Sequence, residues 1–334
     1  MLYLKNVHKT QLQVKFTMSI LILLVLATSG CVAKLTPTTP APAPALSAVT
    51  STLVGGDFLT ATENPAAGAE TVNLPAVNPP STPTQTAVAI DWETMPIVPA
   101  VSPAMKEIFK RGQESGRDAT RFSKIGDCQN ITTYFLAMFD SGNYRLGEEY
   151  AYLQPTIDHF KGSWWRQSLS VKGGMNVAAV LSPMWANADK CRPKETPLAC
   201  ELRVHNPAFA IISLEESWSG SIDNYDMYLR EIVEYVLAQD IVPIIATRAE
   251  TEIQDRQINP TVARIALDYQ VPLWNFGIAA RALPNNGIRP DGFHLTEGRS
   301  YFDDEDMLKT GWTQRNLTAL QVIDSVYSGV TKKP

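Results

Sequence analysis

The chain lacks the features that would mark several classes of protein. Its 29 Lys and Arg against 34 Asp and Glu give a formal net charge of −5. That balance provides no electrostatic reason to expect nucleic-acid binding. The chain has only four histidines and four cysteines, and their spacing is not that of a zinc site. We therefore predict no metal, no cofactor and no nucleic-acid partner.

The apolar run near the N-terminus is too short to span a membrane. Residues 16–27 follow a basic start and number twelve, whereas a spanning helix needs about 20. The run ends at Thr28, Ser29 and Gly30, just before Cys31, so we predict a signal peptide over 1–31. Small residues directly before a cysteine resemble a bacterial lipoprotein signal, in which Cys31 would carry the lipid. A plain signal peptide with a chance cysteine is the alternative. We expect a lipid anchor on the outer face of the cell membrane, or otherwise secretion.

Lysine and arginine are absent between residues 35 and 103. The same stretch holds about half of the chain's 23 prolines, together with many Thr and Ala. Such a composition favours extended or disordered chain, because it cannot bury enough apolar surface to offset the entropy of ordering. We predict a disordered tether over 32–104.

The remaining residues, 105–330, suffice for one hydrophobic core. Short apolar runs alternate there with amphipathic ones, and the helix pattern is clearest where Leu229, Ile232, Val233 and Val236 share one stripe. Further helices are predicted over 259–269 and 313–327. The predicted strands are 122–125, 167–171, 208–212, 241–246 and 271–274. This alternation predicts an α/β fold with a central parallel sheet of about five strands and helices on both faces.

Two segments about 160 residues apart supply a nucleophile, a base and an acid. Cys128 follows the first predicted strand, and Asp291 precedes His294 by three residues. A thiol, an imidazole and an orienting carboxylate are the parts needed for acyl transfer. If a helix begins after Cys128, its dipole should lower the pKa of the thiol. A buried, inert cysteine is the alternative.

The other two cysteines are nine residues apart in a loop rich in Pro, Lys and Glu. In an exported protein that spacing predicts a disulfide between Cys191 and Cys200. Two free surface thiols are the alternative. Cys128 is then the odd cysteine of the domain.

Three blocks of sequence resemble the SGNH/GDSL hydrolase superfamily. Gly126-Asp127-Cys128 resembles its Gly-Asp-Ser block with cysteine at the nucleophile position, and Asp291-Gly292-Phe293-His294 matches its closing Asp-x-x-His. Gly173 and Gly174 resemble the second block, whose glycine donates to the oxyanion. The resemblance implies a three-layer, flavodoxin-like α/β/α fold over 105–330 and ester hydrolysis. It implies Cys128 as nucleophile, His294 as base and Asp291 as its orienter.

The third block departs from the family pattern of Gly-x-Asn-Asp. Here the third predicted strand runs into Glu215, Glu216, Ser217 and Trp218, and Ser217 stands where the asparagine would be. The implied oxyanion hole is therefore formed by the N–H groups of Cys128 and Gly174, with Ser217 as a third donor. We expect Glu215 and Glu216 on the polar rim of the cleft, where their charges would oppose a developing oxyanion.

These features predict an exported, membrane-tethered hydrolase or acyltransferase. Its substrate would be an O-acyl or O-acetyl ester, of a small molecule or of an envelope glycan. The alternative is a catalytically impaired relative that binds a glycan or a partner protein in the same cleft. Indole rings can stack on sugars, and four tryptophans could do so or could pack in the core. They are Trp164, Trp165, Trp185 and Trp218.

Overall fold

The computed structural model describes residues 91–251 and 257–332. The predicted signal peptide and most of the predicted tether lie outside the described residues. The part of that tether from Asp91 onward packs on the domain. There the side-chain amide of Asn275 donates to the carbonyls of Trp92 and Met95, at 2.9 and 3.0 Å. Within the described ranges, no helix combines the length and apolarity needed to cross a bilayer.

The α/β class predicted from the sequence is confirmed. Four parallel strands form the sheet: β1 (Asp118–Gly126), β2 (Pro207–Ser213), β3 (Val242–Ala246) and β4 (Leu273–Trp274). Every residue of β2, β3 and β4 is buried, as expected for strands covered by helices on both faces.

The helices alternate with these strands. In the described ranges they are α1 (Pro103–Glu114), α2 (Met138–Ser141), α3 (Gln154–His159), α4 (Pro197–His205), α5 (Ile222–Ala238), α6 (Ile258–Asp268), α7 (Phe276–Arg281) and α8 (Gly311–Thr331). Ser221 caps α5 by accepting from the N–H of Asn224 at 3.3 Å, and the stripe predicted for this helix faces the core.

The strand predicted over 167–171 is reduced to a single bridge between Val171 and Gly126. Side chains take the hydrogen bonds that a strand would need. The N–H of Leu169 donates to Glu201 at 2.9 Å, and the N–H of Ser170 donates to Ser168 at 3.0 Å. This competition between side chain and backbone explains the lost strand.

The bridge also fixes the topology of the sheet. Gly126 pairs with Ser213 of β2 and with Val171, so the 167–171 segment lies beside β1, away from β2. If that segment is counted as the second strand along the chain, and β2, β3 and β4 as the third to fifth, the order across the sheet is 2-1-3-4-5, as in flavodoxin-like folds. After β1 the chain first adds the 167–171 segment on one side of β1 and then adds β2 on the other side. The gap between β1 and β2 is therefore the switch point of the sheet, and ligands bind at the carboxyl ends of the strands there.

Candidate active site

The turn that carries Cys128 is fixed by close packing at the end of β1. A Cβ on Gly126 would lie 2.0 Å from the side-chain nitrogen of Asn130, so only glycine fits there. That amide donates to the carbonyl of Ser213, at the end of β2, at 2.8 Å. Cys128 itself is a half-buried free thiol.

Asp127 ties this turn to the loop after β2. Its fully buried carboxylate accepts the N–H groups of Gln129 and Glu216, each at 3.0 Å, and also that of Ser217. The Ser217 backbone N–H is therefore occupied. Only its half-buried side chain remains as the predicted third oxyanion donor.

The imidazole is held by its own turn. Asp291 accepts the backbone N–H groups of Phe293 and His294 through one oxygen, both at 2.9 Å. Its other oxygen lies 3.0 Å from Nδ1 of His294. These backbone donors, and then the imidazole, lower the pKa of Asp291 to about 2. An ionised carboxylate can only accept, so Nδ1 carries the proton and Nε2 is left as the basic nitrogen.

One hydrogen bond joins the two distant segments. The side-chain amide of Gln129 donates to the carbonyl of Phe293 at 3.3 Å. Gln129 directly follows Cys128, and Phe293 directly precedes His294. The structure therefore brings the predicted nucleophile segment and the predicted base segment together at one rim of the sheet.

The glycine turn also starts at this rim. The N–H of Lys172 donates to the carbonyl of Gly126 at 3.4 Å, and the N–H of Met175 closes a turn onto Lys172 at 3.0 Å. Gly174 has a φ of +77°, and no atom lies within 4 Å of the position a Cβ would take. A positive φ at the third position favours glycine there, and the open space leaves room for a ligand.

Burial, and then the nearby carboxylates of Asp127 and Glu216, raise the pKa of the Cys128 thiol to about 12. The expectation of a lowered pKa was therefore wrong. The helix after Cys128 is one 3₁₀ turn, Cys128–Asn130, so its dipole is small, while two acids lie near the sulfur. At neutral pH the thiol keeps its proton.

Glu215 and Glu216 are buried rather than on the rim of the cleft. Desolvation raises the pKa of Asp127 to about 6 and that of Glu215 to about 7, and it raises the pKa of Glu216 well above its ordinary range. We call Asp127, Glu215 and Glu216 the buried acid cluster. Its members lie in the turn after β1 and the loop after β2, and burial favours their protonated forms.

Two arginines offset the negative charge of this cluster. The guanidinium of Arg315 donates to the hydroxyl of Ser213 at 2.6 Å, and that hydroxyl donates to Glu215 at 2.7 Å. Arg248 donates to the carbonyl of Glu215 at 2.9 Å. Three rings surround the Arg315 guanidinium with centroids 4.9–5.1 Å away. They belong to Phe135, Trp274 and Phe276.

Sequence reasoning missed these arginines, because Arg315 lies in α8, 102 residues beyond Ser213. A weak signal was present in the two acids that closely follow the apolar run 208–212. Acids at such a position are buried when the strand end is buried, and buried acids need nearby cations.

The structure contains the predicted disulfide between Cys191 and Cys200, with an S–S distance of 2.08 Å. These cysteines and Glu195 form the one group of potential metal ligands in the described residues, and the disulfide occupies both sulfurs. Of the tryptophans considered for sugar binding, Trp164 is fully buried and Trp165 is 58% exposed.

No protein-family model and no curated protein matches the chain. Among solved structures, it is similar to the esterase EstA of a Pseudoalteromonas species (TM-score 0.38, 10% identity, 60% of this chain and 97% of that one). It is also similar to a GDSL-like lipase of Bacteroides thetaiotaomicron (0.36, 14%, 66% and 97%). A third similar structure is a two-domain esterase active on acetylated mannans (0.37, 14%, 73% and 58%).

These structures are esterases and a lipase, the group of proteins that the sequence motifs resemble. The likeness is distant, at 10% to 14% identity and TM-scores below 0.4. The roles of Cys128, Asp291 and His294 therefore rest on the geometry of this chain.

Proposed function

We propose that this protein is an ester hydrolase or acyltransferase that uses Cys128 as nucleophile, His294 as base and Asp291 as the group that orients the imidazole. The contact between Gln129 and Phe293 carries the proposal, because it joins the thiol segment to the imidazole segment. The bond between Asp291 and Nδ1 of His294 supports it, since it leaves Nε2 as the base.

The thiol reacts as a neutral group that loses its proton during attack. As Sγ of Cys128 bonds to the ester carbonyl carbon, Nε2 of His294 accepts the thiol proton. Collapse of the tetrahedral intermediate breaks the bond to the alcohol oxygen, and His294 returns the proton to that oxygen. Water, or another hydroxyl in the case of transfer, then opens the thioester with His294 again as base.

The backbone N–H groups of Cys128 and Gly174 would bind the oxyanion, with the Ser217 hydroxyl as a third donor. Each such donor is worth about 10²–10³ in rate. The buried acid cluster opposes the oxyanion less than three free carboxylates would. Burial raises the pKa of Glu216 well above its ordinary range, which favours its neutral form, and Arg315 and Arg248 lie beside the other acids.

We further propose export and anchoring through a lipid on Cys31. Both features fall outside the described residues. The disulfide between Cys191 and Cys200 supports export, because disulfides persist in oxidising compartments. Metabolic labelling with a palmitate analogue should mark the wild-type protein and leave Cys31→Ser unlabelled. Equal labelling of both would reject the anchor.

The enzymatic proposal is tested with 4-nitrophenyl acetate and a panel of acetylated sugars. Turnover should be lost in Cys128→Ala and in His294→Ala, with both variants unfolding at the wild-type temperature. Asp306→Asn changes an exposed acid outside the site and serves as the matched control. Wild-type turnover no faster than buffer across the panel would reject the proposal.

A second candidate function is binding without turnover in the same cleft. The raised pKa of the Cys128 thiol favours it, since a thiol of pKa about 12 supplies little thiolate. This alternative predicts that Cys128→Ala binds acetylated sugar as tightly as the wild type, and that neither protein turns the sugar over.

A further inference from the structure

A cavity of about 950 Å³ lies beside the proposed active site, and its lining does not include Cys128 or His294. One wall continues from the nucleophile segment, through Thr133 and Tyr134. Another continues from the base segment, through residues 297–301. A third comes from the first turn of α8, at Trp312. The two halves of the proposed triad therefore run directly into the walls of this cavity.

Hydrogen bonds place the cavity near the reacting groups. The backbone N–H of Trp312 donates to the carbonyl of Thr296 at 3.1 Å. Thr296 is two residues beyond His294, a stretch of chain that spans at most about 7 Å. The Trp312 wall of the cavity is thus fixed to the chain two residues from His294.

The cavity presents aromatic rings. Tyr134 is 55% exposed and stacks on Trp312, with centroids 5.6 Å apart and an interplanar angle of 25°. Tyr301 adds a third ring to the lining. An exposed ring with a stacked neighbour offers a flat apolar surface of the kind that takes the C–H face of a pyranose ring.

Polar groups lie around these rings. Arg299 and Asn143 line the cavity, and the Arg299 guanidinium forms no ion pair within the part of the chain that the structure describes. The two acids of the lining lie near arginines. Glu297 is 3.2 Å from Arg289, and Asp304 is 3.8 Å from Arg145.

This combination selects the class of ligand. A hydrocarbon chain would cover polar groups of the lining, such as the Asn143 amide, without offering them a hydrogen bond, at a cost in free energy. The lining carries charges of both signs, from Glu297, Asp304 and Arg299, so it has no large excess of one sign to attract a highly charged ligand. Flat aromatic surface with hydrogen-bonding groups at its edge suits a ring that has apolar faces and equatorial hydroxyls.

We infer that this cavity binds the pyranose chain of an O-acylated oligosaccharide and so presents its ester to Cys128. The inference rests on the proposed function, because it says where the sugar part of that function's ester substrate lies. Binding in the cavity does not require turnover, so the inference and the proposed function can fail separately.

The test is calorimetry on the full-length Cys128→Ala protein in detergent, with O-acetylated xylohexaose and cellohexaose as probes. We expect saturable binding of at least one probe. Adding Tyr134→Ala should weaken that binding by about tenfold, the loss expected for one aromatic stacking contact. Trp312→Phe should weaken it less, since a smaller ring remains.

Tyr152→Ala is the matched control. Tyr152 is as exposed as Tyr134, at 57%, and lies outside the cavity lining, so its loss should leave binding unchanged. Absence of binding for both probes would overturn the inference, as would equal affinities with and without Tyr134. If the wild type hydrolyses 4-nitrophenyl acetate yet binds neither probe, this inference fails and the proposed function stands. If a probe binds but the wild type turns over no ester, the proposed function fails and the cavity remains a sugar-binding site.

Discussion

Two groups of carboxylates lie at the same end of the sheet and behave in opposite ways. Asp291 is exposed, accepts two backbone N–H groups and the His294 imidazole, and has its pKa lowered to about 2. The buried acid cluster lies within the turn and loop that follow β1 and β2. Its carboxyl groups have raised pKa values, because burial disfavours their charge.

The difference shows that burial and hydrogen bonding, rather than residue type, decide what each carboxyl group does at this end of the sheet. Asp291 stays ionised at any ordinary pH and can hold an imidazole in one tautomer. Asp127 instead uses its oxygens to fix the loops that carry Cys128 and Ser217. The charge that remains in the cluster raises the pKa of the neighbouring thiol, so the cluster orders the site at the expense of thiolate.

The largest effect should come from the exposed acid. Asp291→Asn offers an amide to Nδ1 of His294, which favours the wrong tautomer and places the proton on Nε2. We expect kcat for an acetyl ester to fall by roughly 10³–10⁴ at pH 7. Stopped-flow hydrolysis with Asp306→Asn as control measures it. A loss smaller than tenfold would show that Asp291 does not orient the base.

A smaller effect should come from removing one buried charge. The pKa of Glu215 is about 7 in the folded chain, above the ordinary value of 4.5, so the wild type loses stability as pH rises through 7. Glu215→Gln cannot ionise and avoids that loss. The difference in free energy of unfolding between Glu215→Gln and the wild type should therefore grow by on the order of 2 kcal/mol in favour of the variant between pH 5 and pH 8.

Urea unfolding at the two pH values measures this change. Glu107→Gln, which changes an exposed residue of α1, serves as the control. A Glu215→Gln protein whose advantage over wild type does not grow with pH would mean that the buried acid cluster carries no ionisation cost.

The smallest effect concerns the coupling between the cluster and the thiol. Glu216 contributes to the raised pKa of Cys128 once it has lost its proton. Glu216→Gln should therefore be alkylated faster by iodoacetamide, by about threefold to tenfold at alkaline pH, where the carboxylate of the wild type carries its charge. Mass spectrometry of the Cys128 peptide gives the rates and excludes Cys31. Equal rates at every pH would break the proposed link between the two regions.

The strands and helices could be predicted where burial produces a pattern. The all-apolar run in β2 and the stripe of α5 were sufficient, because covered strands and amphipathic helices need those residues. The 167–171 segment was predicted wrongly as a strand. Glu201, a residue of α4, takes the N–H of Leu169, and no local pattern reveals that contact.

The candidate site also has a part that could be predicted from the sequence and a part that could not. Asp291 and His294 interact within one turn, so their spacing alone predicted their hydrogen bond. The environment of Cys128 depends on residues far along the chain. Glu216 is 88 positions away and was expected on the rim of the cleft, and Arg315 is still further along the chain. The sign of the thiol pKa shift could not be predicted without knowing that those charges are buried.

The most direct measurement is trapping of the acyl-enzyme. After brief mixing with 4-nitrophenyl acetate and an acid quench, peptide mass spectrometry should find an acetyl group on Cys128 in the wild type. His294→Ala should show little or none, because the neutral thiol then lacks its base. Acetylation of Cys128 to the same extent in both proteins, or in neither, would contradict a working pair of sulfur and imidazole at this rim.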